Sequence, residues 1–112
     1  MTYKPFSIIV IPYPFTDSAK TKRRPTLVLS SEKHQKETSH ITLAMITSAK
    51  KSAWLDDYEI LDLKKTGLKA KSIIRQKIFT LDARLIQKQI GALSKKDTEE
   101  FLKRLQQHMP TN

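Results

Sequence analysis

The sequence predicts a mainly β domain that ends in a helix. Short runs rich in β-branched and apolar residues predict strands at residues 8–11, 26–29, 41–47 and 72–81. The last part of the chain repeats apolar residues at helical spacing, which predicts an amphipathic helix over residues 95–108. With 112 residues and 38% hydrophobic content, residues 1–112 are expected to form one domain with one core.

The predicted strands have recognisable ends. Pro12 and Pro14 should end the first strand after Ile11, because proline lacks the amide that a central ladder needs. Residues 58–63 alternate weakly and predict an edge strand, after which a lysine-rich turn follows at Gly67. In residues 72–81 two isoleucines precede three polar residues, so we expect a bulge near the middle of this strand.

The C-terminal third leaves one element open. Residues 82–90 fit a short helical turn as well as a strand. Ser94, with Asp97 three residues later, resembles a capping box at the start of the final helix.

Charge and composition limit the function. The chain carries 21 Lys and Arg against 11 Asp and Glu, a formal net charge of +10, which favours anionic partners such as RNA, DNA or an acidic protein segment. No apolar run approaches the roughly 18 residues of a membrane span, so we expect a cytoplasmic protein without membrane contact. The absence of cysteine excludes disulfides, thiol nucleophiles and thiolate zinc sites, and two glycines are too few for a phosphate-cradling loop.

A cationic loop between the first two strands is the most informative feature. Four of the five residues from position 20 to position 24 are Lys or Arg, which suits a polyanion. Pro25 disfavours the helical region for Arg24, so we expect the guanidinium to project from an extended backbone.

These residues suggest metal-free cleavage of RNA. In that reaction the ribose 2′-OH attacks the adjacent phosphorus in line, and fixed donors stabilise the negative charge of the phosphorane. Arg24 is the first candidate, because its planar fork contacts two phosphate oxygens and its charge persists at physiological pH. Thr47 ends a strand with a hydroxyl that could orient the phosphate or the 2′-OH, and Gln76 could add a neutral donor.

Plainer interpretations stay open at each position. The cationic run can be a solvated loop only, and a strand threonine such as Thr47 commonly has a satisfied hydroxyl. His34 and His40 lie in a polar segment that we interpret as an exposed connection, without the spacing of a metal site. The acids at positions 56, 57 and 59 are interpreted as solvated. Trp54 could stack on a base, lie in a subunit interface or pack in the core.

Several ordered segments together resemble the MazF/PemK family of toxin endoribonucleases from bacterial toxin–antitoxin systems. The resemblance spans about residues 6–105 and is carried by IPYPFTD at 11–17, KRRPTLVLSS at 22–31, AMITS at 44–48, GLKAKSIIR at 67–75, KIFTLD at 77–82 and IGALS at 90–94. It implies an SH3-like antiparallel β-barrel with a C-terminal helix, and a homodimer that binds RNA across the dimer face. It also implies metal-independent cleavage of single-stranded RNA, with no cofactor, by a toxin that a cognate antitoxin inhibits.

The resemblance also assigns residues. It implies that Arg24 of the Arg-Pro pair and Thr47 of the Ile-Thr strand end are catalytic. Residues 14–23 correspond to the family's RNA-gating loop, so the expected RNA contacts are Thr16, Lys20, Lys22 and Arg23, together with Gln76. Family members usually begin the first strand with Gly-Asp, where this chain has Phe6 and Ser7.

Two other functions remain open at this point. A toxin of the same fold can poison DNA gyrase by binding, as the CcdB relatives do, and would need no catalytic arginine. The third possibility is a barrel that binds RNA or protein without cutting it, and the positive charge of the chain would suit this function as well.

Overall fold

The computed structural model describes residues 1–13 and 22–110, without the side chains of Tyr13 and Lys22. Within this part the strands and α-helices follow in the order β1 (Ser7–Tyr13), β2 (Lys22–Val28), α1 (Glu32–Thr38), β3 (His40–Ser48), β4 (Tyr58–Glu59), β5 (Ser72–Asp82), β6 (Lys88–Ala92) and α2 (Lys95–His108). Short 3-10 helices, Ala49–Lys51 and Ala83–Leu85, follow β3 and β5. The prediction of a mainly β fold with a C-terminal helix is confirmed.

The strands form one antiparallel sheet in the order β4-β5-β3-β2-β1-β6. This sheet curls into a half-barrel, in line with the barrel that the resemblance implied. Successive strand residues point to opposite faces, so neighbours such as Ile8 and Ile9 belong to different cores. On one face Phe101 of α2 is fully buried with Ile8, and on the other a separate cluster surrounds Ile9.

Pro12 does not end β1, contrary to the prediction. The strand continues to Tyr13 and pairs with β2 along its whole length, with Pro12 opposite Arg23. Its pairing with β6 stops at Val10, so β1 has a single neighbour at the proline. A residue at such an edge needs no amide on its open side, which is why the strand tolerates Pro12.

The predicted bulge in the longest strand is confirmed. Ala44 of β3 pairs with Ile78, whereas the next residue, Met45, pairs with Arg75. Two residues of β5, Gln76 and Lys77, therefore have no partner position on β3, and the strand bends there.

Three other expectations need correction or completion. The edge strand predicted at residues 58–63 exists but is reduced to Tyr58–Glu59, paired with β5. Residues 82–90 divide into the 3-10 helix Ala83–Leu85 and the start of β6. The polar segment around His34 and His40, which we interpreted as an exposed connection, contains α1. The sequence of this helix shows no repeat of apolar residues, because its buried residue is Gln35.

The capping box at the start of α2 is confirmed and extends into the core. The Ser94 hydroxyl accepts a hydrogen bond from the Asp97 amide at 3.1 Å and donates to the Asp97 carboxylate at 3.0 Å. The same carboxylate, 1% exposed, accepts hydrogen bonds from the Tyr58 hydroxyl and from the amides of Leu61 and Asp62. Burial raises the pKa of Asp97, but these hydrogen bonds outweigh that effect and leave it below the usual value. Within the described ranges, no helix is long and apolar enough to cross a membrane.

Candidate functional site

The site lies where β2 and β3 separate. Their ladder pairs Val28 with Leu43, Leu27 with Ala44 and Thr26 with Met45, and it stops there. The next residue of β2 is Pro25, which has no amide to donate to β3. The strands consequently part at the proline, and the first residues of β2 and the last residues of β3 border an open cleft.

The two predicted catalytic residues, Arg24 and Thr47, lie just beyond the end of this ladder and line the same cleft. If the ladder continued past Thr26 and Met45, Arg24 would face Thr47 two positions further on. Directly opposed residues of antiparallel strands project from the same face of the sheet. Arg24 and Thr47 both line the cleft, so the structure brings the two side chains to one groove.

The Arg24 side chain has a hydrogen-bond donor that no described residue uses. The Nε of Arg24 is buried, and no described residue accepts a hydrogen bond from it. A buried donor without a partner costs about 1–3 kcal/mol, and a bound anion would remove that cost. Thr47 is 9% exposed and lines the groove that the Arg24 side chain enters. This arrangement suits a tetrahedral oxyanion held between a guanidinium and a hydroxyl.

The cleft has a volume of about 520 Å³ and a strongly cationic lining. None of its described lining residues is acidic. Five of them carry positive charge: Arg23, Arg24, Lys51, Lys69 and Lys71. The three lysines were missed at the level of sequence. The lysine-rich turn at Gly67 was visible, but nothing in the sequence placed it beside Arg24.

Close backbone packing holds the lysine-rich segment in place. Gly67 has a φ of +76°, and a Cβ at this position would lie 2.2 Å from the carbonyl oxygen of Ile90. A Cβ on Gly91 would lie 2.3 Å from the carbonyl oxygen of Lys65. The Ala49 amide also donates to the Lys71 carbonyl at 3.0 Å. These contacts fix the segment that carries Lys69 and Lys71 against β6 and the end of β3. Together with Lys51, these two lysines form the lysine wall of the cleft.

A buried ion pair anchors the connection between β3 and β4. The Arg75 guanidinium donates to both carboxylate oxygens of Asp57, at 3.1 Å and 3.0 Å, and to the carbonyl oxygen of Lys51 at 2.9 Å. The interpretation of Asp57 as solvated was wrong, since its side chain is 1% exposed. Burial raises the pKa of Asp57, but the hydrogen bond from Arg75 and those from nearby amides outweigh it and lower the pKa. Arg75 thereby fixes Lys51 at the edge of the cleft.

The remaining predicted site residues are distributed differently. Arg23 lines the cleft beside Arg24. Thr16, Lys20 and the side chain of Lys22 lie outside the described residues.

Gln76 does not line the cleft. It is 3% exposed, and its Oε1 lies 2.7 Å from Nδ1 of His108 at the end of α2. The β5 bulge changes the direction of this side chain, so the geometry gives no support to a neutral donor at the cleft.

A larger hollow of about 850 Å³ lies near the N-terminus but is chemically less suited to an anion. Its arginine, Arg84, is paired with Asp82 at 2.8 Å. Its buried Gln35 already binds the backbone of Tyr3 through both ends of the amide, each at 2.8 Å. His34 and His40 are both exposed, and the described part of the chain has no group of three His, Cys, Asp or Glu side chains that could hold a metal ion.

The family follows from comparison with known proteins. A family model described as the PemK-like, MazF-like toxin of type II toxin–antitoxin systems matches residues 4–109. The chain belongs to this PemK/MazF toxin family. Toxins of this family are known as endoribonucleases. No curated protein matches the sequence.

Solved structures of PemK/MazF-type toxins share the fold. The similar structures include a MazE–MazF structure (Form-II) from Deinococcus radiodurans, with a TM-score of 0.75, 18% identity and coverage of 100% of this chain and 99% of the other. The Mycobacterium tuberculosis toxin MazF-mt6 has a TM-score of 0.71 and 20% identity over 90% of this chain and 93% of its own. An endoribonuclease in complex with its cognate antitoxin, from a mycobacterial species, has a TM-score of 0.73 and 11% identity over 99% of this chain and 98% of its own.

Proposed function

We propose that this chain is an endoribonuclease toxin that cuts single-stranded RNA, with mRNA as its target, and that a cognate antitoxin inhibits it. The observation that carries the proposal is that Arg24 and Thr47 line one cleft together with four further cationic side chains. Family membership supports the same reaction class. The protein is proposed to act in the cytoplasm as a homodimer.

In the proposed reaction the ribose 2′-OH loses its proton as its oxygen forms a bond to the adjacent phosphorus. The bond from phosphorus to the 5′-oxygen breaks, and the departing 5′-oxygen takes up a proton, so the net change moves one proton from the 2′-OH to the 5′-oxygen. The products are a 2′,3′-cyclic phosphate and a 5′-OH end. Arg24 contacts the nonbridging oxygens and stabilises the charge that develops on them, helped by its Nε, to which no described residue is bound. The Thr47 hydroxyl orients the phosphate or the 2′-OH for in-line attack. None of these roles needs a bound metal, which leads us to propose metal-independent cleavage.

The RNA contacts follow the same groove. Arg23 extends the cationic lining next to Arg24. Thr16, Lys20 and Lys22 are proposed as further contacts on the basis of family resemblance, since they belong to the loop between β1 and β2. An acidic antitoxin segment would compete with RNA for the same charges.

The test is cleavage of a long single-stranded RNA by the purified protein in the presence of a chelator, with sequencing of the 5′-OH ends. Arg24→Ala should lose cleavage by at least about 100-fold while it keeps the fold, because one preorganised oxyanion donor contributes about that much. Arg84→Ala removes the same charge outside the cleft and is expected to cut normally.

A second pair of variants tests the hydroxyl. Thr47→Val keeps the shape of the side chain and should slow cleavage, whereas Thr42→Val on the same strand should not, because Thr42 bonds to Thr80 away from the cleft. Full activity of Arg24→Ala would remove this residue from the mechanism. RNA left intact by the purified wild-type protein would instead favour a toxin that acts by binding, such as the CcdB-like alternative.

A further inference from the structure

Trp54 is an exposed aromatic side chain in an otherwise well-anchored segment. It is the only tryptophan of the chain and is 44% exposed, which rules out simple core packing. The next residue, Leu55, is fully exposed. Large apolar side chains that stay together at a surface commonly mark a place where a partner binds.

The backbone around Trp54 is fixed by one carboxylate. Asp57 accepts hydrogen bonds from the amides of Ala53 and Trp54, at 3.0 Å and 3.1 Å, and from the Ser52 hydroxyl at 3.3 Å. The guanidinium of Arg75 holds the same carboxylate and lies 5.2 Å from the centre of the Trp54 ring. The indole is therefore held in one orientation by a cation–π contact as well as by its backbone.

The same guanidinium connects Trp54 to the cleft. Arg75 donates to the carbonyl oxygen of Lys51 at 2.9 Å, and Lys51 lines the groove that holds Arg24 and Thr47. The exposed indole thus stands beside the edge of a cationic groove. The buried acid next to it, Asp57, is neutralised by Arg75 and offers no repulsion to a polyanion.

We infer that Trp54 is a stacking platform for an unpaired base of the RNA strand whose phosphates lie in the cleft, an inference that rests on the proposed function. Proteins that hold single strands combine a positive groove for the backbone with aromatic faces for the bases. In-line attack by a 2′-OH also needs a nucleotide released from regular helical stacking, and an aromatic surface beside the scissile phosphate stabilises that arrangement. The adjacent groove, lined by five cations, would hold the phosphates of the same strand.

Because the chain has a single tryptophan, its fluorescence reports on this position alone. The probe is a dye-labelled, single-stranded 2′-fluoro RNA of about 12 nucleotides and mixed sequence, which lacks the nucleophile and stays intact. We expect binding to quench the Trp54 emission. We also expect Trp54→Ala to weaken affinity, measured by dye anisotropy, at least about fivefold, while Trp54→Phe keeps most of it.

Two controls separate stacking from charge. An oligomer of the same length without bases should bind wild type and Trp54→Ala equally well and leave the emission unchanged. Leu55→Ala removes a neighbouring apolar side chain that is more exposed than Trp54, and it should change the affinity less than twofold.

The outcomes distinguish this inference from the proposed function. Binding without quenching, with equal affinities for wild type and Trp54→Ala, overturns the platform while leaving the cleft as the RNA site. Emission that changes with protein concentration in the absence of RNA, without quenching by the oligomer, overturns it in favour of a subunit interface. If no oligomer binds, both the RNA-binding function and the platform are refuted.

Discussion

The salt dependence of RNA binding tests whether the lysine wall of the cleft contacts phosphates. Lys51, Lys69 and Lys71 are exposed and line the groove opposite Arg24. Each phosphate neutralised on a single strand contributes about −0.7 to the slope of log affinity against log salt concentration. Replacing the three lysines together by glutamine should therefore make that slope less negative by about 2.1.

This change is large enough to measure. Between about 50 and 200 mM salt, the logarithm of concentration changes by about 0.6, so wild type should lose about 20-fold more affinity than the triple variant over that range. The other cations contribute equally to the salt slopes of wild type and of the triple variant, so they cancel when one slope is subtracted from the other. The assay is anisotropy of the dye-labelled 2′-fluoro oligomer at a series of salt concentrations.

A matched variant removes the same charge at other places. Lys33 on α1 and Lys95 and Lys96 on α2 are exposed and do not line the cleft, so their joint replacement by glutamine also lowers the formal net charge from +10 to +7. Counterion release counts contacted phosphates, so this control should keep the wild-type slope. Equal slopes for all three proteins would refute the assignment of the lysine wall to phosphate contacts.

Other predictions concern the scaffold, and each is measured by urea unfolding. Asp97→Ala leaves the Tyr58 hydroxyl and two backbone amides without their acceptor and should cost about 3–5 kcal/mol, against about 1 kcal/mol for Ser94→Ala; equal costs would contradict this. Because the pKa of Asp97 is lowered in the fold, its stabilisation should be complete above about pH 5 and be lost as the pH falls through the folded pKa, a dependence that Asp97→Asn should reduce. Gly91→Ala should cost about 3 kcal/mol through its clash with a carbonyl oxygen, and a neutral result would mean that the lysine-rich turn shifts freely. Phe6 has a φ of +68°, so Phe6→Gly should be about 1 kcal/mol more stable than Phe6→Ala, and the reverse order would show that this backbone is unstrained.

The backbone at Phe6 gives a structural account of the departure from the family pattern. The φ of +68° belongs to the left-handed region, which glycine adopts without the steric cost of a Cβ. The resemblance expects glycine at this position. Here phenylalanine adopts the same region, with its ring packed against the core beneath α2 and its amide bonded to the Val28 carbonyl at 2.7 Å. Packing offsets the local strain, so the first strand can begin without glycine.

Local patterns were sufficient for most of the elements. Apolar runs, the β5 bulge and the capping box at Ser94 depend on residues close in sequence, and the structure confirms them. The helix α1 was missed because it buries Gln35 instead of an apolar face. Pro12 was misjudged because its tolerance depends on where a distant strand, β6, stops pairing with β1.

The sequence by itself determined the chemistry available to this protein: a permanently charged arginine before a proline, a strand-terminal threonine, a large positive charge and no thiol. Only the tertiary structure decided which of these groups meet. Pairing of β2 with β3 and of β3 with β5 brings Arg24, Thr47, Lys51, Lys69 and Lys71 to one groove, whereas the bulge turns Gln76 toward His108. Register depends on pairing between segments far apart in the chain, and a shift of one residue would reverse the face of every side chain on a strand.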